Sequence, residues 1–468
     1  MRPCLPLLLA ALCACAPDER ARPPAPPPPP AEPLPDLPAE LAPFSTEQPH
    51  VVLVIGCTVR RDQLAPYGGR ADVTPHLARL AAGGARFADA FTAAPWTKSA
   101  HTALLTGRYA SSIGMVEPGE GRNSRRLADA VTTLGEHLGA AGYTTLGLTA
   151  NPNLNAVFGF AQGFSDYYEA TDLWREVGTL KVPGQTVVGE ALRRIDAAPR
   201  DRPVYVRMTL VDAHDPFDPA SDESEALRQP HEPAKLGRYR VGLRRFDAAV
   251  GALVAGLDAR GLTAENTIFM VVNDHGEGLN WPNAVHGKGH GNDLLPTTTG
   301  MPWIATGPGL ARNHTVAGLA SQIDVLPTVL GLVGAPVPDG PGHDWSAQLR
   351  GEVARTTRSE VFIETWMRRL ERAAIATDDH LCVQQYHDPR ADRDDRDLPW
   401  PRCYQRRPDH TFRTHQPAAP ALLAQLESWH QAQRAALDAY PHAADATFDG
   451  GDDDGVWSQL EALGYVGD

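Results

Sequence analysis

The chain has 468 residues, a formal net charge of −14 and an isoelectric point of about 5.6. This length allows one large α/β domain with a smaller companion and a sizeable core. The acidic balance excludes a nucleic-acid binder held through phosphate contacts, but not a small anionic substrate, whose binding is decided by local fields.

The first residues, MRPCLPLLLAALCAC, put one Arg before an apolar run too short to span a bilayer. Leu12-Cys13-Ala14-Cys15 is similar to a bacterial lipobox, with Leu three places and Ala one place before the cysteine. This predicts a signal peptide over 1–15 and a lipidated Cys15. The product is an exported lipoprotein of the cell envelope, tethered to the membrane. The competing expectation is an ordinary signal peptide cleaved near Ala16, and both place the mature chain in an oxidising compartment. Pro17–Pro43 is rich in Pro, Ala and Glu, which predicts an extended spacer within a linker over 16–46. Outside the leader the cysteines are Cys57, Cys382 and Cys403. Cys382 and Cys403 are candidates for a disulfide across a polar loop, which leaves Cys57 unpaired.

His50–Gly56 is a continuous apolar run, as in a central parallel strand, ending at Gly56-Cys57-Thr58. Thr74–Gly83 reads as an amphipathic helix with Pro75 at its first position. A short strand over Arg86–Thr92 follows. Helices are predicted over Leu134–Ala141, Gln185–Ala197, Arg240–Leu257 and Ile323–Val333. Strands are predicted over Thr144–Ala150, Val204–Val211, Thr267–Val272 and Met301–Thr306. Strands alternating with helices give an α/β fold whose mostly parallel central sheet is sandwiched by helices, here assigned to 47–345. After about Gly340 the pattern changes. Asp388–Asp397 is a charged loop, Ala418–Ala439 and Trp457–Tyr465 read as helices, and 346–468 forms a smaller C-terminal α+β subdomain.

Polar clusters follow three of the strands: Cys57, His214 and Asp274-His275. Ligands of open α/β sheets gather at such carboxyl ends. Asp274 and His275 offer one carboxylate oxygen and one imidazole nitrogen to a cation, or else form an ordinary turn. His286–Gly291, HGKGHG, adds Lys288 for an anionic oxygen, and His286 or His290 for a metal or a leaving group; the bland alternative is a flexible basic loop. His214 is a candidate general acid or a structural loop histidine. In Ala93–Gly107, AAPWTKSAHTALLTG, the helix cannot start before Pro95, and Thr97 falls at the N-cap or in the first turn. There it is a simple cap, or a hydroxyl poised at the positive end of a helix dipole.

The segments VVLVIGCTVRRDQLAPYGG, TPHLARLAAGGARFADAFTAAPWTKSAHTALLTGRY, FGFAQGFSDYYEA, VDAHDPFDP, VVNDHGEGL, KGHGNDL, IDVLPTVLGLVGAPVP and LEALGYV occur in that order. Together they resemble the sulfatase family of the alkaline phosphatase superfamily, from His50 to the C-terminus. By that resemblance Thr97 stands at the nucleophile position, Asp274 and His275 at the metal pair, His214 at a substrate-side histidine, and Lys288 and His290 in the later loop. Two departures matter. The family's nucleophile is a Cys or Ser converted to formylglycine, whereas Thr, with two substituents on Cβ, cannot become that aldehyde. Cys57 replaces the first metal carboxylate, and Gly56 stands where a second Asp is frequent.

Loss of those hard oxygen ligands disfavours Ca²⁺ or Mg²⁺. Cys57, Thr97, Asp274 and His275 together would suit one zinc ion; alternatively Cys57 is a small buried hydrophobe in a site without metal. The resemblance also extends to phosphoethanolamine-type transferases, which use a zinc-activated Thr. It implies a metal-dependent hydrolase or transferase of sulfate or phosphate esters on a glycan, lipid or small molecule. The alternative is a catalytically inactive relative that binds sulfated or phosphorylated ligands.

Overall fold

The computed structural model describes residues 34–38, 41–116, 124–170, 181–279, 288–354, 358–367, 370–387, 400–406, 412–416, 419–439, 445–446 and 460. The leader, Cys15 and the spacer up to Pro33 lie outside them, as does the charged loop over 388–397. Among the described residues no helix is long and apolar enough to cross a membrane. Residues at the end of the predicted linker touch the main body. Leu34 packs against the core, and Arg200 stacks over the Phe44 ring at 4.3 Å while its carbonyl accepts from the Ser45 N–H at 2.8 Å.

Eight strands form the central sheet: β1 His50–Gly56, β2 Ala85–Phe91, β3 Thr144–Thr149, β4 Asp166–Glu169, β5 Val204–Leu210, β6 Thr267–Asn273, β7 Trp303–Thr306 and β8 His314–Ser321. Their spatial order is β8-β2-β7-β6-β1-β5-β3-β4. All pairings are parallel except those of β7, which runs antiparallel to both neighbours. β1 lies between β6 and β5, with Val51 opposite Ile268 on one side and Tyr205 on the other. Its side chains feed two cores in alternation. Val52 and Val54 join the cluster under α1 (Pro75–Gly83), α4 (Gly184–Ala197) and α5 (Ala234–Asp258). Val51, Leu53 and Ile55 join the cluster under α2 (Thr97–Thr106), α3 (Leu134–Ala140) and α6 (Val325–Val333). An apolar run without alternation is therefore what a strand covered on both faces requires.

Three local readings change. Thr74 does not cap α1 with its side chain; its hydroxyl instead accepts from the Ala65 N–H at 2.8 Å. α5 begins six residues before the predicted Arg240. The weak helix former Gly237 hides that first turn, and packing explains its presence, since a Cβ there would lie 2.1 Å from the Ser224 carbonyl oxygen. The strands β4 and β8 at the two edges of the sheet were not evident from pattern.

The C-terminal part holds a five-stranded antiparallel meander: β9 Glu360–Thr365, β10 Glu371–Thr377, β11 His380–His387, β12 Arg402–Arg406 and β13 Phe412–Gln416. Cys382 and Cys403 face each other across β11 and β12 and are joined by a disulfide. One face of the meander packs on Phe91, Leu294 and Leu319 of the main body. The other is covered by α7 (Pro420–Ala439) through Leu426. Of the predicted terminal helix only Leu460 lies among the described residues, buried in the second core.

Candidate active site

Four adjacent parallel strands, β6, β1, β5 and β3, deliver their carboxyl ends side by side. Asp274 and His275 follow β6, Cys57 follows β1, His214 lies just beyond β5, and Asn151 lies just beyond β3. α2 brings Thr97 to the same place as its first residue, with Trp96 as N-cap. Every residue of α2 is buried, so Thr97 is held by packing on all sides.

Ligand atoms of Cys57, Asp274 and His275 all lie within 4.8 Å of one another. Thr97 Oγ1 is 3.5 Å from His275 Nε2. The structure thus brings together the four residues that the sequence grouped. Local backbone geometry explains how. Thr58 adopts the left-handed region at φ 58°, which is costly for a β-branched residue, and its N–H donates to Asp274 Oδ1 at 3.0 Å. The His275 N–H donates to the same oxygen at 2.6 Å. Asp274 Oδ2 is left buried with no hydrogen-bond partner among the described residues. His275 Nδ1 donates to the Gly276 carbonyl at 2.9 Å, which leaves the Nε2 lone pair facing the cluster.

Electrostatics agree with a cation site. Burial pushes the Cys57 thiol well up, and the neighbouring Asp274 carboxylate adds to this. Burial likewise raises Asp274 and holds His275 well below the ordinary imidazole range. An orphaned carboxylate oxygen, an inward-facing imidazole lone pair and a thiol are a donor set that a divalent zinc-like ion satisfies. Gly56 contributes nothing to it. A Cβ there would lie 2.5 Å from Val59 Cγ2 and 2.8 Å from Phe246 Cζ, so the space for a side chain is already filled.

His290 and His214 flank the cluster. The His290 ring centroid lies 4.5 Å from that of His275 and 5.3 Å from that of His214. Burial works against the charged form of His290. The Glu277 carboxylate, 3.2 Å from Nδ1, outweighs this and holds His290 above the ordinary range. His214 donates from Nδ1 to the Asp215 carbonyl. Burial, with the His290 charge beside it, brings His214 down to about 3. Of the two, His290 is the histidine whose surroundings favour the charged form. Lys288 lies in a two-residue strand, opposite Leu279; its side chain and His286 lie outside the described residues.

Sequence reasoning passed over four residues. Asn151 Nδ2 donates to Cys57 Sγ at 3.3 Å and to Thr97 Oγ1 at 3.5 Å, while its Oδ1 accepts from the Asn153 N–H, which fixes the amide's orientation. The run Asn151-Pro152-Asn153 read only as the end of a strand. Glu277 read only as the last residue of the polar stretch after the strand over Thr267–Val272. His101 and Arg207, both fully buried, lie behind Asp274, with His101 Nε2 3.8 Å from Asp274 Oδ2. An arginine inside an apolar strand is itself a signal, since a buried guanidinium needs a partner.

Known proteins resemble this chain in sequence and in fold. Human arylsulfatase A is 27% identical over 368 residues, which cover 67% of this chain and 70% of that protein. A phosphonate monoester hydrolase from Silicibacter pomeroyi shares the fold at a TM-score of 0.61 and 17% identity, over 83% of this chain and 95% of that one. An alkaline phosphatase superfamily protein from Vibrio parahaemolyticus has a TM-score of 0.60 at 14% identity, over 86% and 90% of the two chains. The family model named Sulfatase matches residues 49–335, which include Cys57, Thr97, Asn151, His214, Asp274, His275 and His290. This chain belongs to the sulfatase family.

Proposed function

We propose that the protein is a metal-dependent hydrolase of sulfate or phosphate-type esters with Thr97 as nucleophile. The observation that carries this reading is the placement of the Thr97 hydroxyl at a helix N-terminus, against the Cys57, Asp274 and His275 cluster. Those three side chains, with Thr97 Oγ1, would hold one zinc ion. When bound, the ion supplies Lewis acidity toward the hydroxyl and a substrate oxygen. The protein's own residues do the rest. The Thr97 proton would be released to solvent as the ion is bound, and Asn151 donates toward the oxygen and stabilises the oxyanion left behind. Thr97 attacks sulfur or phosphorus in line, forming the Thr97 ester as the bond to the leaving oxygen breaks. His290, kept protonated by Glu277, gives its proton to that oxygen. Water then attacks the same sulfur or phosphorus, regenerating the hydroxyl; an alcohol acceptor in place of water would make the same sequence a transfer. Lys288, on the later loop, is suited to the non-bridging oxygens.

The relatives' names support the substrate class: one is an arylsulfatase and one a phosphonate monoester hydrolase. We further propose that lipid on Cys15 and the proline spacer hold this domain at the cell envelope, where the esters met are those of glycans, lipids or small molecules.

The test is turnover of 4-nitrophenyl sulfate, 4-nitrophenyl phosphate and bis(4-nitrophenyl) phosphate by zinc-loaded protein. Turnover of at least one is expected, with an unmodified Thr97 in the tryptic mass spectrum. No turnover of any would leave a binding protein in its place. A second expected result concerns Asn151. Asn151→Ala lowers kcat by about 10²-fold, the usual loss when one donor to a developing oxyanion is removed, with the circular dichroism unchanged. A kcat within about threefold of the parent would remove Asn151 from the mechanism.

A further inference from the structure

Arg207 extends from β5 with its side chain fully buried. Among the described residues its guanidinium makes hydrogen bonds to Tyr167 Oη at 3.3 Å and to His101 Nδ1 at 2.8 Å. No carboxylate pairs with it there. Arginine has no acceptor and does not deprotonate in proteins, so in the second bond it is the donor and His101 Nδ1 the acceptor. A neutral imidazole that accepts at Nδ1 carries its hydrogen on Nε2. His101 Nε2 is buried without a hydrogen-bond partner, and so is Asp274 Oδ2, 3.8 Å away. His275 Nε2, on the other histidine, approaches the same oxygen at 3.5 Å.

His275 has the opposite arrangement: its Nδ1 donates to a backbone carbonyl and its Nε2 lone pair is open. Two buried histidines thus flank one carboxylate, one set up as a ligand and the other as a donor. His101 is also absent from the group whose ligand atoms all lie within 4.8 Å of one another.

We propose that His101 is a positioning residue of this site. Arg207 locks its ring with the proton on Nε2, and that N–H steers Asp274 Oδ2 and keeps His101 out of the ligand set. The arrangement also gives the buried Arg207 charge a route to a carboxylate, through an imidazole polarised between them. The steering of Asp274 rests on the metal reading above; the ring's tautomer does not.

The tautomer is read directly. In metal-free protein carrying ¹⁵N-histidine, two-bond ¹H–¹⁵N correlations should show His101 as the Nε2–H form, its signals assigned by their loss in His101→Gln. Arg207→Met should release the lock and shift those signals toward the Nδ1–H form. Cobalt(II) titration supplies the second readout. The parent should show sulfur-to-cobalt charge transfer from Cys57. His101→Gln should keep the same bands with metal affinity weaker by about 10- to 100-fold, as for other residues that orient a ligand. His275→Gln should change the bands themselves. An Nδ1–H tautomer at His101 in the parent, or a changed cobalt spectrum in His101→Gln, would overturn the proposal. A parent that binds no cobalt would overturn the metal reading and the steering of Asp274, while the tautomer result still decides the lock.

Discussion

Thr97→Ala is expected to lower kcat by at least about 10⁴-fold with KM nearly unchanged, the pattern of a lost nucleophile rather than a lost binding contact. Thr97 is fully buried as the first residue of a helix buried along its whole length. Its hydroxyl lies 3.5 Å from both His275 Nε2 and Asn151 Nδ2. Removing the oxygen leaves that geometry in place without the attacking atom. Thr97→Ser keeps the oxygen and loses only a methyl group, so it should retain more than about a tenth of the parent activity; a buried methyl is worth roughly 1 kcal/mol of packing. Steady-state kinetics on the parent and the two variants, with a folding control, makes the comparison. Full activity in Thr97→Ala would contradict the assignment.

Cys57→Ala is expected to weaken zinc binding by more than about 100-fold, beyond the loss typical of residues that only orient ligands, and to abolish turnover with it. The thiol is the soft ligand of the set and the departure that separates this site from a hard-cation site. Cys57→Asp gives the complementary result. A carboxylate in that place makes the cluster oxygen-rich, so affinity for Ca²⁺ or Mg²⁺ should rise as affinity for zinc falls. Competition against a chromogenic chelator measures both. If Cys57→Ala binds zinc like the parent, Cys57 is packing and not a ligand.

The sheet was legible because β1 and β6 are long apolar runs whose polar residues begin where the strands stop, and β5 is a similar run interrupted by Arg207. Gly237 and the edge strands β4 and β8 escaped because their reasons are tertiary: close approach to Ser224 in one case, and pairing with residues distant in sequence in the other. The same divide holds in the site. Cys57, Asp274, His275 and Thr97 were legible because each sits at a strand end or helix start, where a side chain meets an open face. Asn151 shares that position, but an amide next to a proline reads as a turn until its partners are known. His101 was hidden on the helical face that looks inward, and Arg207 was hidden in the middle of a strand. Arg207 carries the local signal of a charge within an apolar strand, but its partner His101 is visible only in the fold. Glu277 was hidden for the same reason, since its partner His290 comes from a separate loop.

The most direct test is a crystal structure of the zinc-loaded protein with anomalous data collected on both sides of the zinc edge. The account predicts one anomalous peak about 2.3 Å from Cys57 Sγ and about 2.0–2.2 Å from Asp274 and His275, with Thr97 Oγ1 completing the tetrahedron and His101 outside it. A peak bound elsewhere, or an ion held by oxygen ligands with the Cys57 sulfur turned into the hydrophobic core, would contradict it.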